Sequence, residues 1–498
     1  MSRPDATYAS TGVPGLDEVL QGGWPTARLH LVLGQPGAGK TTLGLQFLLE
    51  GVARGERALY VSLSETREEV EQVAASHGWS LEGMELFELD AAGQAAGGEA
   101  RSMFDPAEVE LRQTSQSIVD TVERLRPSRV VFDSLAELQL MSGSSLVFRR
   151  ELLALKRLLM KLGATGLLMS DSSAARAELD IQSLVHGVLR LENRTPEYGS
   201  DRRRLRVQKL RGTRYRGGYH DFRIVTGGVR VYPRLVASDH RQVSGGAPLG
   251  SGVAELDTLL GDGLARGSST LLMGPAGTGK SSLLAQLVSA AVAQGEKASI
   301  YLFEESEQTF LERAAALGMP GLRDAHGSGA LRLHHVNPAE LSPGEFSHRV
   351  REQVEEEGVG FVGIDSVNGY VYAMPEERFL TLHVHELLDY LRQRGVVTVL
   401  VMAQHGLLGD VTAPADVTYV ADALLLVRFF EALGRVRRGV SMLKNRFGAH
   451  ETAIRELSVG AGGIRIGAPL TDFQGVLSGV PSFVGASRGL MGGADDDG

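Results

Sequence analysis

The chain has 498 residues, a formal net charge of −9 and no cysteine. At ~100–200 residues per domain it has room for several domains, and 43% hydrophobic with 22% charged residues is the balance of a globular protein. The missing cysteines exclude disulfides and thiolate zinc sites and suit a reducing cytoplasm; the acidic balance argues against nucleic acid as the main partner.

Met1–Ser10 is polar and lacks the apolar core of a signal peptide. No uninterrupted apolar stretch reaches membrane length, so a soluble, cytoplasmic protein is expected. Thr11–Asp17 reads TGVPGLD, followed by Gly22-Gly23 and the apolar run Leu29–Leu33. Gly34–Thr42 then reads GQPGAGKTT and opens a helix-like stretch. A short strand is expected at Ala58–Ser62, with Ser64-Glu65 just beyond it. The apolar strand Arg129–Asp133 ends in the pair Asp133-Ser134. A helix over Phe148–Leu162 and a strand over Gly166–Ser170 follow. A basic segment with Arg202, Arg203, Arg204 and Arg206 leads to Lys209 and Arg211, then to Tyr219–Ile224. The polar, Gly-rich stretch Val236–Pro248 suits a linker.

The second half repeats the first. Ser251–Asp257 reads SGVAELD, Ser269–Met273 is apolar, and Gly274–Ser282 reads GPAGTGKSS. Then come the strand Ser299–Phe303, the pair Glu304-Glu305, and the apolar strand Phe361–Asp365 followed by Ser366. A helix over Arg378–Gln393 and a strand over Val396–Met402 complete the pattern. Ordered agreement of this kind means internal duplication. Two homologous domains are expected, 1–237 and 238–480, with a flexible tail over 481–498. Short β-branched runs alternating with amphipathic helices predict a mostly parallel sheet flanked by helices in each.

The pattern G-x-x-x-x-G-K-[ST] wraps a phosphate chain in backbone N–H groups, with glycine where the chain passes close to the oxygens. One match can be an accidental turn, but both copies here stand between a strand and a helix. The predicted cradles are Gly34, Gly37, Gly39, Lys40, Thr41 and Thr42, and Gly274, Gly277, Thr278, Gly279, Lys280, Ser281 and Ser282. The two lysines reach the β- and γ-phosphates of ATP, and Thr41 and Ser281 ligate Mg²⁺. Asp133 and Asp365 end strands where an acid holds the magnesium hydration shell. Hydrolysis needs a carboxylate to orient water; Glu304 and Glu305 are the candidates in the second half, Glu65 alone in the first.

These residues resemble the KaiC family, tandem ATPases of the RecA superfamily. TGVPGLD…GGWP in residues 11–25 is similar to that family's opening signature, the paired glutamates are similar to its catalytic pattern, and the likeness runs over about 11–480. The resemblance implies two tandem RecA-like P-loop domains in a homohexameric, two-tiered ring with nucleotide between subunits. In such rings Lys209, Arg211, Lys444 and Arg446 reach the γ-phosphate held by the neighbour, the logic of an arginine finger. The family's autophosphorylated Ser-Thr pair aligns with Thr418 and Tyr419, leaving one acceptor hydroxyl. Ser64 stands where the family has glutamate, which implies slow turnover in the first domain and a reversed division of labour. A signalling partner, such as a response regulator or histidine kinase, would fit.

Two other functions share the P-loops. One is a DNA-handling motor like the recombinases of the superfamily, opposed by the acidic charge and by the lack of aromatics interleaved with basic residues. The other is a nucleotide-gated scaffold with little turnover, suggested by Ser64.

Overall fold

The protein is described from a computed structural model, over residues 7–89, 106–142, 144–171, 181–237, 245–372, 380–404, 419–432, 434–476 and 482–484. It divides into two compact units, Met1–Arg234 and Leu235–Gly498.

The first unit is built on a nine-stranded sheet in the order Gly228–Tyr232, His220–Val225, Arg202–Leu210, Gly187–Arg194, Leu29–Gly34, Thr165–Asp171, Arg129–Asp133, Ala58–Ser62, Met84–Glu88. The strands from Gly187–Arg194 to Met84–Glu88 are parallel. The remaining three form an antiparallel edge. The second unit repeats the order: Gly463–Pro469, Arg455–Gly460, Arg435–Asn445, Ala423–Ala432, Ser269–Pro275, Val397–Gln404, Phe361–Asp365, Ala298–Leu302, Leu331–His335. This is the RecA-like architecture expected, twice.

The continuous apolar runs have a simple cause. Both faces of each parallel sheet are covered, so neighbouring residues of one strand bury on opposite sides. In Arg129–Asp133, Val131 joins the cluster around Phe47 and Tyr60, while Val130 and Phe132 join the one around Leu59 and Val61. Each such side chain contributes ~1.5–3 kcal/mol on leaving water.

Ala58–Ser62, Arg129–Asp133 and Phe361–Asp365 have the expected bounds. Others differ slightly. The helix expected from Phe148 starts at Ser145. The strand expected over Gly166–Ser170 runs Thr165–Asp171 and pairs Asp171 with Gly34. The strand expected from Ser299 begins at Ala298, which is in register with Phe361 and Leu331. The helix over 378–393 is described from Leu380 to Gln393. In the tail, Ser482–Phe483 pairs with Phe473–Gln474; its other residues lie outside those described, except Val484. Among the described residues no helix is long and apolar enough to cross a membrane.

Candidate functional site

Each glycine-rich loop joins the central strand of its sheet to a buried helix, Lys40–Ala53 or Lys280–Ala293. Gly37 and Gly39 take φ of 75° and 94°; Gly277 and Gly279 take 78° and 100°. These are left-handed conformations that side chains other than glycine's rarely adopt. A Cβ on Gly274 would lie 2.0 Å from the Val427 carbonyl oxygen, so that position also admits glycine alone. Gly34 at the strand end and Thr42 and Ser282 in the first turn of their helices are buried. Thr278 is buried too and donates to the Pro275 carbonyl at 2.9 Å. Both helices present free N–H groups at their first turn to whatever anion enters the loop.

The lysines behave differently in the two units. Lys280 Nζ donates to the Pro275 carbonyl at 2.7 Å, and burial pushes its pKa down to about 8. Lys40 Nζ donates to the carbonyls of Gly34 and Gln35, both at 3.1 Å, and forms an ion pair with Asp171 at 2.6 Å. Gly274 pairs with Ala403 in the sheet as Gly34 pairs with Asp171. The second loop therefore has no carboxylate at that register position.

The acids at the strand ends sit beside the loops. Asp133 Oδ2 accepts from Thr41 Oγ1 at 2.6 Å and from the buried Tyr60 hydroxyl at 2.8 Å. Asp365 is buried and accepts from Ser281, but its Oδ2 has no partner among the described residues. Burial, with Glu305 and Glu304 nearby, pushes its pKa up to about 6. Ile300 occupies the place of Tyr60 in the second sheet, which is why Asp365 lacks that donor. Hydroxyl plus carboxylate is the donor set a magnesium ion takes beside a triphosphate, and an orphaned buried oxygen at Asp365 fits it. Among the described residues no cluster of three acids or histidines would hold a metal alone.

The water-orienting candidates lie on the loop between the strand after the P-loop helix and the next helix. That loop is pinned at both ends. Leu63 N–H donates to the Asp133 carbonyl and Phe303 N–H to the Asp365 carbonyl, both at 2.8 Å. Thr66 then closes a capping box with Glu69, and Ser306 caps the equivalent helix through Thr309. Glu304 Oε1 accepts from Ser366 Oγ at 2.6 Å, which holds it beside Asp365. Glu305 is engaged elsewhere, in a two-pronged ion pair with Arg313 whose Nη2–Oε1 arm is 2.7 Å. In the first unit Glu65 meets no arginine among the described residues: its Oε2 is buried with no partner among them, and burial with Asp133 raises its pKa. The pair read as one unit from the sequence is thus split between two environments.

Lys209, Arg211, Lys444 and Arg446 stand at the opposite end of their sheets from the P-loop of the same unit. Arg211 N–H donates to the carbonyl of His186, whose own N–H donates to the carbonyl of Leu29, the first residue of the strand Leu29–Gly34. Arg446 N–H bonds Asp422 in the same way beside Ser269. Thr418 lies outside the described residues. Asp171, Tyr60, Ser366, Arg313, His186 and Asp422 were not read from the sequence as parts of a site. The traces that exist are Asp171, one residue past an expected strand, and Ser366, the second member of the repeated Asp-Ser pair.

Known proteins resemble this chain over nearly its whole length. The KaiC ATPase family model ("ATPase: KaiC") matches twice, over residues 9–236 and 249–471. The circadian clock protein KaiC3 of Synechocystis sp. is 28% identical over 495 residues, covering 96% of this chain and 95% of its own. The circadian clock oscillator protein KaiC of Acaryochloris marina is 26% identical, covering 97% and 93%. That of Synechococcus elongatus is 27% identical, covering 95% and 92%.

Proposed function

The chain belongs to the KaiC ATPase family, and from that premise we propose that it is a magnesium-dependent ATPase whose second unit carries most of the turnover. One observation carries the reading: Glu304 is held by Ser366 next to Asp365, whereas the first unit has exposed Ser64 at the matching place. In the second unit Lys280 and the backbone amides hold the triphosphate, and Glu304 orients a water for in-line attack. The new bond joins the water oxygen to the γ-phosphorus, the bond to the bridging oxygen breaks, and ADP and phosphate leave as the proton passes through Glu304 to solvent. Magnesium, held through Ser281 and Asp365, would neutralise the β- and γ-oxygens. Glu305, clamped by Arg313, positions the loop. The first unit binds nucleotide for assembly and turns it over slowly through Glu65.

In this reading the active form is a ring of copies, with each nucleotide between neighbours and Lys209, Arg211, Lys444 and Arg446 acting across the interface. Their distance from the P-loop of their own unit supports it. Regulation through a signalling partner, and phosphoryl transfer to Thr418, belong to the same proposal. The test is phosphate release by the assembled protein. Glu304→Gln lowers kcat by roughly 100-fold or more, Glu65→Gln removes only the slow remainder, and Thr418→Ala abolishes labelling by radioactive ATP. Equal turnover in Glu304→Gln and parent defeats the assignment.

A further inference from the structure

The first unit holds three cations on three successive carbonyls. Lys209 Nζ donates to the Gln182 carbonyl, Arg211 Nη2 to the Ser183 carbonyl at 3.1 Å, and Lys156 Nζ to the Leu184 carbonyl at 2.6 Å. Lys156 comes from a separate element, the helix Ser145–Leu162. Among the described residues, the charges acting on Lys156 are Arg211 and Arg28, and those acting on Lys209 are Arg211 and Lys156. Burial and this mutual repulsion push both lysines below their usual range. Among the described residues no acid pairs with these cations, and positive charge gathered in this way is a seat for an anion.

The second unit shows what has been changed. His186 and Asp422 occupy the same place: each backbone N–H bonds the carbonyl of the first strand residue, Leu29 or Ser269, and each side chain accepts that residue's N–H. Asp422 is an acid, 3.0 Å from Arg392 and 3.7 Å from Arg446. His186 supplies no negative charge; burial, Lys156, Arg28 and Arg211 hold its pKa down to about 4. The helix Leu380–Gln393 contains no lysine, and its Arg392 is spent on Asp422. So the second unit pairs its cations with an acid, and the first adds a cation and, among the described residues, supplies no acid.

The anion cannot be the nucleotide of the same unit. The cluster flanks Leu29, and the P-loop starts at Gly34 of the same strand, roughly 17 Å away at ~3.3 Å per residue. We propose that Lys156, with Lys209 and Arg211, forms a three-cation seat for the triphosphate held by the first P-loop of a second copy of this chain. The inference rests on the interfacial reading given above and adds to it a third, helix-borne phosphate contact confined to the first unit.

The test uses the full chain with Lys280→Ala, so that the first loop alone takes nucleotide, and follows assembly by light scattering during an ATP titration. Lys156→Ala raises the ATP concentration at half-assembly roughly tenfold, the loss of one charged contact to phosphate. Lys156→Arg restores most of it, and ATP uptake by dilute, unassembled chain, which needs the loop alone, is unaltered. If Lys156→Ala assembles like its parent while Lys209→Ala does not, the third cation is refuted and the interfacial reading stands. If neither substitution moves the midpoint, or the parent does not assemble with ATP, both fall together. A drop in uptake at dilution for Lys156→Ala also overturns the proposal, since the residue would then support only its own unit.

Discussion

Replacing Asp171 with asparagine is expected to tighten ATP binding at the first loop. Lys40 is drawn to Asp171 across 2.6 Å, with the lysine side chain 9% exposed and the aspartate 35% exposed. A charge-assisted hydrogen bond is worth ~1.5–3 kcal/mol, and partial solvent access reduces this pair to roughly 1–2 kcal/mol. An arriving phosphate must displace that carboxylate before it can use Lys40. Asparagine keeps the shape and a weaker neutral hydrogen bond, and it removes the repulsion between carboxylate and phosphate. Together these tighten binding by about 3- to 10-fold. Calorimetry of ATP binding to chains carrying Lys280→Ala isolates the first loop. The reciprocal change, Ala403→Asp in a chain carrying Lys40→Ala, should weaken the second loop, because Ala403 holds the matching register position. Unchanged or weaker binding by Asp171→Asn would refute the competition and make Asp171 a partner of the ligand instead.

ATP capture by the second unit should be bell-shaped in pH. Asp365 must be ionised to hold magnesium and Lys280 protonated to hold phosphate, so kcat/KM falls on acidification through about 6 and on alkalinisation through about 8; kcat/KM against pH in a Lys40→Ala chain checks both limbs. Tyr60→Phe should destabilise the first unit by about 1–3 kcal/mol, since it removes one of the two donors to Oδ2 of the buried Asp133 and leaves Thr41 alone there. Urea unfolding measures it, and an unchanged midpoint would mean that the carboxylate finds other partners.

The sequence by itself determined the duplicated architecture and the place of its two glycine-rich loops, each between the central strand and a buried helix. The reason is that these are local: the glycine loop, its lysine and its hydroxyl lie within nine residues, and a strand buried on both faces announces itself as an unbroken apolar run. Asp133 and Asp365 were legible for the same reason, each being the last residue of such a run. What tertiary structure alone decided was which charges meet. Asp171 reaches Lys40 across 131 residues of chain. Glu304 and Glu305 are neighbours in sequence but face Ser366 and Arg313. His186 replaces Asp422 at a place defined by strand register. Such pairings depend on which strands lie side by side and how a turn aims consecutive side chains, and no local spacing encodes that. The two halves therefore look alike as sequence, and the fold makes them electrostatically different.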